Sequence, residues 1–473
     1  MKRAYALDAL RGLAIILMVL SSMEVFGILP AWMYHAQVPP PDHVFNPNLP
    51  GITWVDLVFP FFLFAMGAAF PFSVGRRLEK GESRGRVAWD IILRALRLVV
   101  FAIFVQHFYP YMLRSPQDPQ AWGLALAAWA VLFLMFLRLP SSLPEWVERV
   151  MHGLGYAVAL AMSCLVTFAS TPNLVQAPMT FLATSNIILL VLANLSFFGG
   201  LTYLFTMDRM PVRLLVLVVL ALLAVAGLIF DESWLRKALD WSPAPWLTRF
   251  DFLKYMFIVI PGSIAGDCLK AWMQDRVNLI PTRPWRAWVM LFLPWVILVV
   301  NLVCLFGRYL VVNAVATVLL CGVGIWVTSQ SESNNEVLWR RMFLLGSVLL
   351  LLGLCVEPLQ GGIKKDHATF SYLFVTSGLA SMILTSLHVL CDHFGCLKST
   401  AFLRLTGQNP MIAYVSGQLF VLPLLQLVGL AAPLFALCGG SPWLGFFLQG
   451  VGLTALTVLV TMFFSHFKLY WRT

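Results

Sequence analysis

Few residues in this 473-residue chain could carry chemistry, and most of them stand beside long apolar runs. His35, Asp42 and His43 share the proline-rich stretch PAWMYHAQVPPPDHVFNPNLPG, which has no Lys or Arg. Imidazole titrates near neutrality, so a histidine held by a stiff loop can take a proton from an attacking amine or hydroxyl. Asp56, in TWVDLVFPFFLFAMG, stands at the mouth of the next apolar run. There it could complement the positive end of a helix dipole or orient a nearby histidine. Late in the chain, GGIKKDHATFSY sets Lys364, Lys365, Asp366 and His367 just outside another run, and TGQNPMIAYV opens a further one with Gln408 and Asn409. Asn409 reads as an N-cap or as a polar ligand within a bundle. Arg11, Arg94 and Arg97 lie in or at the inner part of apolar segments. Guanidinium groups grip phosphates bidentately, so these three read either as side chains snorkelling to membrane lipid or as a dock for a polyanionic coenzyme.

The scaffold that must position these groups is written in the composition. Hydrophobic residues make up 60% of the chain and charged residues 11%, against about 25% charged in a soluble domain. So little polar material cannot coat a water-facing surface, and the chain reads as an all-α polytopic membrane protein. Apolar runs at 10–29, 52–74, 88–108, 121–138, 152–171, 181–206, 211–230, 252–272, 285–306, 309–328, 341–358, 371–391, 410–432 and 443–466 suggest about 14 membrane-spanning helices, with a range of about 11 to 14. One integral domain over 1–473 is expected.

The net charge of +10 suggests a nucleic-acid binder until the basic residues are placed. Most fall in loops of one side, such as 75–87 and 273–284, which assigns that side and both termini to the cytoplasm and leaves no call for nucleic acid. The first run is read as an uncleaved helix. The eight cysteines form no CxxC pair and read as buried thiols. No HExxH, Walker-type or GxSxG motif occurs, which leaves protease, nucleotide-hydrolase and serine-hydrolase readings unsupported, and no metal is expected.

With these residues in view, the sequence resembles the heparan-alpha-glucosaminide N-acetyltransferase family of membrane acyltransferases, most closely its bacterial DUF5009 branch. LDALRGLAIILMVL is similar to the family's first core helix, PAWMYHA with GITWVDLVFPFFLFAMG to its His loop and next helix, and IKKDHATFSY, TGQNPMIAYV and FKLYWRT to later segments. The DLVFPFFLF stretch is the most specific, while 110–250 matches only in being hydrophobic. The resemblance implies acetyl-CoA used from the cytoplasmic face, an amino sugar or glycan acetylated on the far face, and an essential loop histidine that falls on His35, with His43 as the alternative. Asp56, Lys365 and Asn409 are implied to line the active cavity, and Ser22 stands where the family has an Asn. The branch implies a bacterial inner membrane.

The resulting expectation is a transmembrane acetyltransferase. His35, or failing that His43, serves as general base or carries an acetyl-His intermediate, and Asp56 orients it. Asn409 or Ser22 donates to the oxyanion, and Arg11, Arg94 and Arg97 hold the coenzyme. A homodimer is a possible assembly. A transporter or flippase for a glycan, lipid or small solute is the alternative, since it too would need many helices and a few buried polar groups; no inverted repeat marks it.

Overall fold

Lipid offers backbone groups no hydrogen bonds, so each segment that crosses it must satisfy its own N–H and C=O groups, and an α-helix does so. The computed structural model describes residues 4–23, 29–140, 143–230, 233–274, 280–438 and 441–472. Its long helices are α1 (Tyr5–Ser22), α2 (Trp54–Glu79), α3 (Arg84–His107), α4 (Pro119–Phe136) and α5 (Glu145–Leu165). They continue with α6 (Ile187–Thr206), α7 (Met210–Gly227), α8 (Phe250–Gln274), α9 (Pro284–Phe306) and α10 (Leu310–Thr328). The last four are α11 (Asn334–Gln360), α12 (Phe370–His393), α13 (Pro410–Leu427) and α14 (Pro442–His466).

Twelve of these helices are long and apolar enough to cross a membrane. The other two, α3 and α5, carry more polar residues but are 24 and 21 residues long and pack lengthwise on α6 and α4. The protein is therefore an integral membrane protein with a polytopic helical fold. Tertiary contacts agree with the alternation that the charges imply. At the inner end, the backbone N–H groups of Tyr5 and Ala6 donate to the Asp392 carboxylate at 3.1 and 2.8 Å, which caps the start of α1 with the end of α12. At the outer end, Gly51 N–H donates to the Ile363 carbonyl at 2.8 Å, and Arg308 pairs with Glu357 at 2.6 Å.

Helix α12 is the central column, packed on α1, α2, α8, α9 and α11. Its serines tie it to three of them. Ser377 donates to the Phe257 carbonyl of α8 at 3.0 Å, Ser381 to Met342 of α11 at 2.8 Å and Ser386 to Leu291 of α9 at 2.6 Å. Thr376 and Thr385 instead return their hydroxyl protons to the carbonyls of Tyr372 and Ser381 in their own helix, the usual recourse of a buried threonine. Gly378 and Gly346 bring α12 and α11 into backbone contact: a Cβ at Gly378 would lie 2.7 Å from the Gly346 carbonyl oxygen. Small residues at such a crossing replace the hydrophobic drive that lipid cannot supply.

Some boundaries differ from the hydropathy reading. Helix α5 starts at Glu145 rather than near 152, because Glu145 and Glu148 in its first turn suit the helix dipole although they interrupt the apolar pattern. Helix α2 runs past 74 to Glu79 through a π-turn at Pro71–Gly75. The buried-thiol expectation holds for Cys304, Cys321 and Cys391 but not for Cys355, which is exposed on the helical surface; a thiol behaves as a small hydrophobe, so an apolar exterior tolerates it.

Replacing Gly378 by Val should cost about 1–3 kcal/mol by overpacking. Val at Gly322 of α10, where nothing lies within 4 Å of a built Cβ, should leave stability near wild type. Thermal unfolding in detergent compares the two, and equal melting temperatures would refute the close-packed crossing.

Candidate functional site

The outer site is built around one buried carboxylate. Asp56 occupies the first turn of α2, three residues after its N-cap Thr53, so its side chain can turn back on the orphan N–H groups of the helix start. Oδ2 accepts from the Thr53 N–H at 3.0 Å and from the Ala36 N–H at 3.2 Å. Oδ1 lies 2.8 Å from His35 Nδ1. The Thr53 hydroxyl donates to the Tyr34 carbonyl at 2.7 Å, and the Tyr372 hydroxyl of α12 donates to the Asp56 carbonyl at 2.8 Å. Asp56 is wholly buried, whereas 38% of the His35 side chain is exposed.

An ionised carboxylate only accepts hydrogen bonds. Nδ1 of His35 therefore carries the proton in the neutral ring, which leaves the Nε2 lone pair as the reactive position. Lys365 reaches the same place from the loop before α12, with Nζ 3.0 Å from Nδ1, 3.4 Å from Nε2 and 3.7 Å from Asp56 Oδ1. Of the adjacent Lys364 and Lys365, Lys365 is thus the one that meets the acid. His43 takes another place: its ring packs edge-on against Tyr34 at 4.7 Å, in a loop turn with φ +49°. His367 turns to the Asn48 side-chain oxygen at 3.3 Å, and His107 stacks on Phe181 at 3.7 Å with Nδ1 2.8 Å from the Ile103 carbonyl.

A second polar region lies at the inner end. Here a cavity of about 580 Å³ is lined by Arg97, Arg138, Arg149, His152 and Arg472 together with Glu145 and Glu148. Arg149 pairs with Glu145 at 2.9 Å, and Glu148 accepts the Leu139 N–H at 3.1 Å. Of the three arginines singled out in the sequence, Arg97 lines this cavity, whereas Arg94 and Arg11 are not in its lining and Arg11 lies 3.7 Å from Asp8. Between the two regions is a cavity of about 40 Å³ walled by apolar side chains that include Phe59, one turn below Asp56, and Leu98, beside Arg97. Among the described residues no group of three or more His, Cys, Asp and Glu converges as a metal site.

Two expected site residues stand elsewhere. Asn409 is at the inner end, where its amide donates to the Leu469 carbonyl at 2.8 Å and accepts the Trp471 N–H at 3.2 Å. It makes no side-chain cap for α13 and does not join His35. Ser22 ends α1, where its hydroxyl donates to the Val19 carbonyl at 2.8 Å. Sequence reasoning missed Tyr372, Arg138, Arg149, His152 and Arg472. The T-x-x-D spacing of Thr53 and Asp56 was a readable capping signal, whereas Tyr372 and Arg472 reach their places only through the packing of distant segments.

The fold and this outer site define a helical membrane protein with a solvent-accessible histidine set on a buried acid. Residues 3–269 match the family described as "Domain of unknown function (DUF5009)", more than half of the chain, and the protein belongs to that family. No curated protein is significantly similar to it. The matched region carries His35, Asp56 and the three arginines, while Lys365 and Tyr372 come from beyond it.

Asp56→Ala would strip His35 Nδ1 and two backbone N–H groups of their acceptor and leave Lys365 without its countercharge. A stability loss of about 3–5 kcal/mol is expected, with a smaller loss for Asp56→Asn, which keeps one acceptor oxygen. Melting curves of the purified protein test this; an Asp56→Ala curve superimposable on wild type would show that the carboxylate does not hold the loop.

Proposed function

We propose that this DUF5009 protein is an acetyl-CoA-dependent membrane N-acetyltransferase of the heparan-alpha-glucosaminide type, acting on an amino sugar or glycan at the outer face of a bacterial inner membrane. The observation that carries the reading is the His35–Asp56 pair: a buried acid holds Nδ1 at 2.8 Å while 38% of the imidazole side chain is exposed. An acyl thioester is already activated, so the protein has to bring the acceptor close, take its proton and stabilise the oxyanion. The acceptor nitrogen attacks the acetyl carbonyl, the C–N bond forms as the C–S bond breaks, and His35 Nε2 passes the amine proton to the departing thiolate. Lys365, within 3.4 Å of Nε2, supplies the N–H donor for the oxyanion in place of Ser22 and Asn409. An acetyl-His35 intermediate would divide the same transfer into two steps.

The inner cavity supports the same reading, because several guanidinium groups at one mouth suit the phosphates of a nucleotide coenzyme. Arg97 lies ten residues before the outer end of α3, about 15 Å along the helix axis, so the thioester has to reach past the inner mouth to meet His35. The apolar cavity of about 40 Å³ has room for only a few water-sized groups and suits a short acyl group.

Purified protein in detergent, given acetyl-CoA and glucosamine, should release free CoA thiol. His35→Ala should lower the rate by at least about 100-fold, whereas His43→Ala should stay near wild type. Arg97→Ala and Arg138→Ala should each raise the KM for acetyl-CoA about tenfold with kcat little changed. Absence of CoA release, together with amino-sugar movement into proteoliposomes lacking acetyl-CoA, would replace this reading by the transporter.

A further inference from the structure

The end of the chain is stitched into the bundle residue by residue. Tyr470 accepts the Arg138 N–H at 3.0 Å through its carbonyl, and the Arg472 N–H donates to the Phe136 carbonyl at 2.9 Å, so that Trp471 and Leu137 form an antiparallel bridge. The Trp471 ring is buried and meets Phe133 edge-on at 4.7 Å. Asn409 holds the same segment from its other side through the Leu469 carbonyl and the Trp471 N–H. The Tyr470 hydroxyl adds a 3.2 Å contact to Gln408.

These bonds set Arg472 into the wall of the inner cavity, which Arg97 and Arg138 also line. Four arginines, Arg97, Arg138, Arg149 and Arg472, share this lining with two carboxylates, Glu145 and Glu148, so positive charge is in excess. Guanidinium groups gathered on one wall favour an anionic ligand, and phosphate accepts their hydrogen bonds bidentately.

We propose that the segment Leu469–Arg472 is a clamp for a phosphate-bearing ligand in the inner cavity. Arg472 is its contact to phosphate, and Asn409 is the positioning residue that fixes the clamp. The proposal rests on the reading of this cavity as the acyl-donor site, and deepens it. It gives Asn409 a role at the opposite end of the bundle from His35: the amide acts on the donor through the last turn of chain.

Coenzyme A binding to the purified full-length protein in neutral detergent, measured calorimetrically, tests the clamp. Arg472→Ala and Asn409→Ala should each weaken binding about tenfold, and the double variant should bind no more weakly than Arg472→Ala alone. In turnover, both should raise the KM for acetyl-CoA and leave kcat near wild type, which general damage to the fold would not do. If Asn409→Ala does not fold, Asn409→Asp, which keeps the acceptor for Trp471 N–H and loses the donor to Leu469, takes its place. Arg472→Lys should recover part of the affinity. Unchanged affinity in these variants, or losses that multiply in the double variant, would overturn the clamp while leaving the acyl-donor site in place. If wild type binds no coenzyme A, the acyl-donor reading falls. The clamp is then judged by co-purifying phosphatidylglycerol: loss in both variants supports a lipid phosphate as its ligand, and full retention overturns it.

Discussion

A buried negative charge at the outer rim of the bundle is the constraint around which this protein is organised. Asp56 is wholly buried, and a carboxylate taken out of water is tolerated only when donors and a countercharge replace the lost solvation. They come from separate parts of the chain: Thr53 at the start of α2, Ala36 and His35 in the first outer loop, and Lys365 more than 300 residues later. Satisfying one acid therefore fastens the proline-rich loop to the helix behind it and to the loop before α12. The same bonds select a ring tautomer of His35 and leave the lone pair on its other nitrogen. Structural necessity and chemical readiness have one cause here.

Helix α12 makes that assembly rigid. Its Tyr372 hydroxyl holds the Asp56 carbonyl, and its serines hold carbonyls of α8, α9 and α11. In an interior without water each such hydroxyl has to find an acceptor, and a neighbouring helix supplies one at the cost of fixing where that helix lies. The outer acid and the interior column thus share one helix, whose far end caps α1 through Asp392.

The two polar regions differ in kind. At the outer end a single negative charge is nearly enclosed by donors. The inner cavity gathers positive charge at an open mouth, with its two acids already engaged, and the small apolar cavity separates the regions. A polar path through the bundle would let ions leak, whereas an apolar constriction passes a thin neutral group more readily than a charged one.

What the sequence determined by itself follows from properties that are local along the chain. Apolar length and the paucity of charge dictated a helical membrane protein, and the one-sided distribution of Lys and Arg sorted its loops into two alternating sets, because lipid imposes these requirements on each segment separately. His35, Asp56 and Lys365 could be singled out because each is a polar group in a costly place. Which histidine meets the acid was decided only by tertiary structure, since His35 and His43 occupy one loop and differ in how that loop folds against α2. Asn409 shows the same limit: beside an apolar helix start it resembled a site residue, yet its amide was claimed by backbone sixty positions away. The inner cavity was legible in Arg97 but not in Arg472, since pairing between the chain end and Leu137 joins segments far apart in sequence, and no local pattern encodes such pairing.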